Sequence, residues 1–111
     1  MDAAKKKSGI RGTVRAITRK VSANGLSFDH THINVERGHD VTDAEARSYI
    51  ENAVAVIFRT KNGVKYANYF SSDGAAYVDI DGKTIRTAFK REQYDEKTIA
   101  FLQEVINGWN K

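Results

Sequence analysis

Three histidines fall within ten residues, His30, His32 and His39, and Arg37 stands among them. Imidazole has an ordinary pKa of ~6.5, so near neutrality one ring can take a proton while another gives one. Cleavage of RNA without a metal asks for little more. One group removes the 2′-hydroxyl proton, a second protonates the departing 5′-oxygen, and a cation offsets the charge that builds on the phosphorane. His32, Arg37 and His39 supply a residue type for each role. Their spacing suits either a short helical turn, with i and i+7 on one face, or a loop that folds back.

A plainer reading stands beside each. A lone histidine is usually structural, and His30 fits that best. The His30-x-His32 pair, flanked by Asp29 and Asp40, has donor types that could hold a metal, but without cysteines or a second carboxylate cluster it is the weaker alternative. Arg37 can simply pair with Glu36 or Asp40. A second group lies further along: Tyr69, Ser71 and Ser72 before an Asp73-Gly74 turn, then Thr84, Arg86, Thr87 and Lys90 on or beside a strand-like run. Hydroxyls and cations there can hold a phosphate, and Tyr66, Tyr69 and Tyr77 can stack on unpaired bases. Strand alternation turns either the tyrosines or Phe70 and Val78 toward the core, so packing competes with stacking.

The elements that must position these groups follow from spacing. Ile10, Val14, Ile17 and Val21 suit one face of a helix over residues 10–21, with Arg11, Arg15 and Arg19 as a basic stripe beside it. Gly12 and the β-branched residues weaken that helix, and a strand is the alternative. Asn24-Gly25 ends the element, and Leu26 and Phe28 can anchor the polar segment that follows. Thr42-x-x-Glu45 is a capping box opening a helix with Ala46, Tyr49, Ile50 and Ala53 facing inward. Strand-like runs at Val54–Thr60, Lys65–Phe70, Ala75–Ile80 and Thr84–Phe89 are separated by Asn62-Gly63, Asp73-Gly74 and Asp81-Gly82, which suit tight hairpins. Asp95 caps a last helix with Ile99, Leu102, Ile106 and Trp109 as its core stripe. The expected fold is α+β: N-terminal helices on one face of a four-stranded antiparallel meander, and a C-terminal helix.

Composition bounds the function. With 111 residues there is room for one domain, residues 9–111, behind a flexible lysine-rich tail at residues 1–8. The absence of cysteine excludes disulfides and thiolate metal sites. No apolar run is long enough to span a membrane, and no secretory signal is present, so no membrane partner is expected. Residues 1–40 hold eight Lys/Arg against four Asp/Glu, whereas the rest is balanced at ten of each, so the net +4 lies in the first forty residues. Such a local basic surface suits a polyanion.

With these residues in view, the chain resembles a phage-borne module. The resemblance rests on His32-Ile33, Glu36-Arg37-Gly38-His39, Val41-Thr42, Glu45-Ala46, Ser48-Tyr49-Ile50 and Asn52-Ala53. It continues through Asn68-Tyr69-Phe70-Ser71, Gly74-Ala75-Ala76-Tyr77-Val78, Ile85-Arg86-Thr87-Ala88-Phe89 and Tyr94-Asp95-Glu96. It is similar to the phage branch of the barnase/EndoU/colicin/RelE-like ribonucleases, found near head-morphogenesis regions and in polymorphic toxins. The resemblance covers roughly residues 28–105. It implies a cytoplasmic, or phage- or toxin-delivered, endoribonuclease acting on tRNA or other cellular RNA with no cofactor and no metal. It implies an immunity or antitoxin protein as a further partner. The catalytic positions it implies are His32, Arg37 and His39, with Ser71 or Ser72 and Thr87 from the sheet. RNA contacts are expected from Arg11, Arg15, Arg19, Tyr69, Arg86 and Lys90. The alternative is a non-catalytic nucleic-acid-binding or phage-assembly module on the same scaffold.

Overall fold

The computed structural model describes residues 13–107. Six strands form one sheet: β1 (Thr13–Ala16), β2 (Ser27–Phe28), β3 (Ala55–Lys61), β4 (Val64–Phe70), β5 (Gly74–Asp79) and β6 (Thr84–Lys90), in the order β1-β3-β4-β5-β6-β2. Strands β3 to β6 run antiparallel through short links. At the first link Asn62 and Gly63 both take positive φ, 52° and 80°, as a two-residue hairpin of matching twist demands. β1 adds antiparallel to the β3 edge, and β2 adds parallel to β6, so the sheet is mixed.

This overturns the expected four-stranded meander with N-terminal helices. Within residues 10–21, Thr13–Ala16 is a strand with Val14 opposite Ile57. The helical spacing of the apolar residues competes there with β-branched Thr13 and Val14, which pack well on a pleated surface once a partner edge is available. The lysine-rich tail, Ile10, Arg11 and Gly12 lie outside the described residues, as does Trp109.

Helices cover both faces rather than one. Helix α1 (Asp43–Glu51) begins at the expected box: Thr42 Oγ1 accepts from Glu45 N at 3.1 Å, and Glu45 Oε1 accepts from Thr42 N at 3.0 Å. Helix α2 (Glu96–Ile106) is capped by Asp95, whose carboxylate accepts from Thr98 N at 2.8 Å. Alternation along β5 divides the core. Ala76 and Val78 join Ala46, Tyr49 and Ile50 of α1, while Ala75 and Tyr77 join Phe101 and Leu102 of α2. The buried face of α2 is therefore Phe101, Leu102 and Val105; of the expected stripe Leu102 is buried, whereas Ile99 and Ile106 are 37% and 61% exposed.

α2 rests on the Ala55, Ile57, Phe70 and Ala75 end of its sheet face. Beyond that end the same face turns polar. That change of character positions the site.

Candidate functional site

The cross-strand register sets out the polar half of this face as rows. Asn68 lies between Ile57 and Tyr77, and Tyr77 faces Thr87. In the next row Tyr66 lies between Arg59 and Asp79. These side chains, Ile57 apart, line a groove of about 480 Å³, which Lys61 also lines. On β6 the pairing steps from Thr87 opposite Tyr77 to Ile85 opposite Val78, leaving Arg86 as an extra residue in a bulge. The bulge re-aims Arg86 to the groove wall, where Nη1 lies 3.1 Å from Asp29 Oδ2 and Nε 3.7 Å from Asp79 Oδ2.

The histidine segment forms the other wall. After β2 the chain makes one wide π-helical turn, Thr31–Glu36, with Arg37 N donating to His32 O at 3.1 Å. Asp29 ties this turn to the sheet: its Oδ1 accepts from His32 N at 3.2 Å while its Oδ2 holds Arg86. These donors, led by the His32 amide, hold the Asp29 carboxyl below the usual carboxylate range. Gly38 at φ 65° and Asp40 at φ 55° then reverse the chain. His39 N returns to Ile33 O at 3.0 Å. Buried Ile33 and Val41 anchor the two ends of the loop, which folds back as the second of the two expected geometries requires.

The reversal seats the His39 ring on Phe89, with centroids 5.8 Å apart. Phe89 belongs to an aromatic cluster with Tyr77, Tyr94 and Phe70, so His39 touches the core on one side and the groove on the other. Its pKa is lowered from 6.5, first by burial and then by the positive charges of Arg37 and His32. His39 therefore stays neutral near pH 7, the form that accepts a proton. The ring of His32 is oriented by Glu36, whose Oε1 lies 3.0 Å from Nδ1, which leaves Nε2 unoccupied by that contact.

A second cavity of about 350 Å³ adjoins the first and is lined by His39 and Phe89. The two share His32, Arg37, Lys61, Tyr77 and Thr87. The structure thus gathers His32, Arg37, His39, Arg86 and Thr87 along one continuous surface. Arg37, Arg59, Lys61 and Arg86 outnumber Asp29 and Asp79 there by two charges, which favours an anion.

Other expected site residues lie elsewhere. Ser71 is buried at the far end of β4, where Oγ donates to Gly74 O at 2.7 Å and accepts from Gly74 N at 3.1 Å, so it staples the β4–β5 turn. It sits three residues beyond Asn68, roughly 10 Å along the strand, and its carbonyl accepts from the Tyr94 hydroxyl at 2.8 Å. Ser72 is exposed, and its carbonyl accepts from Arg91 at 3.3 Å. Tyr69 packs against the α1 core on the opposite face, and burial raises its phenol pKa. Lys90 follows Phe89 on that opposite face, its Nζ 3.9 Å from Asp40 Oδ2. Arg15 sits on β1 next to Val14, whose side chain packs under α2, so alternation turns Arg15 to the other face. Arg19 is exposed in the loop after β1, and Arg11 lies outside the described residues, so the expected basic helical stripe does not form. His30 pairs with Asn34 at 3.0 Å while His32 pairs with Glu36, and no three His, Asp or Glu side chains gather as metal ligands among the described residues.

Arg59, Lys61, Asn68 and Asp79 escaped sequence reasoning. The signal was present in β3 and β4, where Ile57-x-Arg59-x-Lys61 and Phe70-x-Asn68-x-Tyr66 pass from apolar to polar on one face. No helix of the described residues is long and apolar enough to cross a membrane. Compared with family models, curated proteins and solved structures, the chain matches none.

Proposed function

We propose that this groove cleaves single-stranded RNA without a metal, by attack of a 2′-hydroxyl on the adjacent phosphate. The observation that carries the reading is the placement of two histidines, a hydroxyl, and two cations that make no ion pair among the described residues: His32, His39, Thr87, Arg37 and Lys61 all line the second cavity. Neutral His39 takes the 2′-hydroxyl proton as the new O–P bond forms. Protonated His32 delivers a proton from Nε2 to the 5′-oxygen as its bond to phosphorus breaks. Arg37 and Lys61 stabilise the charge on the non-bridging oxygens, and Thr87 adds a hydrogen bond. The products are a 2′,3′-cyclic phosphate and a 5′-hydroxyl. Tyr66 and Tyr77 on the groove supply aromatic surface for unpaired bases, which a duplex does not present.

The test is purified protein with total tRNA in EDTA. Cleavage is expected, and His39→Ala should abolish it while the thermal transition remains cooperative. RNA left intact by the wild-type chain would count against the reading. Salt-dependent binding that is equal for wild type and His39→Ala, with no cutting, would establish a binding module instead.

A further inference from the structure

Asn68 is 4% exposed at the floor of the groove, and its buried Oδ1 has no hydrogen-bond partner among the described residues. A buried acceptor without a donor destabilises the free protein, and native structures seldom retain one without a use. Neither cross-strand neighbour hydrogen-bonds this oxygen: Ile57, opposite on β3, has no side-chain donor, and the Tyr77 hydroxyl, opposite on β5, makes no bond to it. What they do supply is shape. Tyr77 and Tyr66, two residues along the same face, offer aromatic surface beside the amide, and Arg59 stands in the next row.

We infer that Asn68 reads the edge of one unpaired nucleobase, which enters the groove against Tyr66 and Tyr77 while its flanking phosphates meet Arg59 and Arg86. A carboxamide presents an acceptor beside a donor, and a base edge presents the complementary pair. An aromatic face beside such an amide suits a flat, polar-edged ring. The inference rests on the nucleic-acid reading of the groove and names what that reading leaves open, the contact made by the base itself. It does not depend on catalysis.

The experiment uses 2′-O-methyl RNA hexamers, which keep the ribose but cannot be cleaved by 2′-hydroxyl attack. One set carries bases, and a control of the same length is abasic throughout. Binding is read by fluorescence anisotropy. Asn68→Leu should weaken binding of at least one base-bearing hexamer about tenfold and leave the abasic control unchanged. Its melting temperature should match or exceed that of wild type, since the unpaired oxygen is gone. Asn68→Asp, closest in shape, should change the order of preference among the bases. Equal effects on base-bearing and abasic hexamers, an unchanged order with Asp, or no binding of any hexamer by the wild type would overturn the inference. Base-dependent binding by a protein that leaves tRNA whole would uphold this contact and remove the nuclease reading alone.

Discussion

Asn34 and Val41 exchange two hydrogen bonds: Asn34 Nδ2 donates to Val41 O at 2.7 Å, and Val41 N donates to Asn34 Oδ1 at 2.8 Å. One side chain thereby acts as a strand partner would and closes the loop that carries Arg37 and His39. Asn34→Ala leaves the peptide groups of buried Val41 without these partners, and the expected cost is about 2 kcal/mol, read from urea unfolding. Because the loop also loses its closure, RNA cleavage should fall further than the lost stability explains at a temperature where the variant remains folded. Wild-type cleavage by a destabilised Asn34→Ala would show that the clamp serves folding only.

The lowered pKa of His39 has a sign that can be measured. Burial, reinforced by Arg37 and His32, favours the neutral ring in the folded chain. Unfolding restores the ordinary value of 6.5, so below that pH the unfolded state binds the proton first. Stability should be flat in this contribution above about pH 6.5 and fall as the pH drops from there toward the folded value. His39→Gln should lessen the decline between about pH 7 and pH 5 in urea titrations. The acid limb of cleavage should likewise fall below pH 6.5, since catalysis needs the neutral ring. A limb above that value would assign the base to another group.

Lys61 and Arg59 carry no ion pair among the described residues, in contrast to Arg86. Replacing either by Ala should weaken RNA binding and reduce the slope of log K against log salt by about 1. Arg15→Ala, on the opposite face, should leave the slope unchanged. A slope lost at Arg15 and kept at Lys61 would place the RNA elsewhere.

Gly74 is fixed by space rather than by backbone freedom. A Cβ there would lie 2.5 Å from the Tyr49 ring and 2.7 Å from Phe89 O. Gly74→Ala should destabilise by about 1–3 kcal/mol through overpacking, visible as a lower melting temperature. The groove is at the other end of β5, so RNA affinity measured well below that temperature should persist.

The parts of this fold that are legible in the sequence are those set by neighbours a few residues apart. Thr42 with Glu45, Asn62 with Gly63, and Asp95 before α2 each satisfy a local backbone need, and each is found where its residue types predict. β1 is different. Its four residues become a strand because Val14 meets Ile57, a partner distant in sequence, and the helical spacing nearby points the other way. The same limit applies to the site. A serine beside a turn reads alike whether it faces a ligand or staples the turn, and Ser71 does the latter. Tyr69 and Tyr77 are equally good strand residues, and only the register shows that Tyr69 joins the α1 core while Tyr77 reaches the groove. Asn68 stands in the strand run as one more polar residue, and its place on the groove floor depends on α2 covering only the Phe70 end of that face.

The most direct measurement of the central claim is the chemistry of the cut ends. RNA digested in excess EDTA should carry a 2′,3′-cyclic phosphate on one side and a free 5′-hydroxyl on the other, and neither end should form with His39→Ala. Fragments ending in 5′-phosphate, or cutting that ceases on chelation and returns with a divalent cation, would contradict 2′-hydroxyl attack with His39 as the base and His32 as the acid.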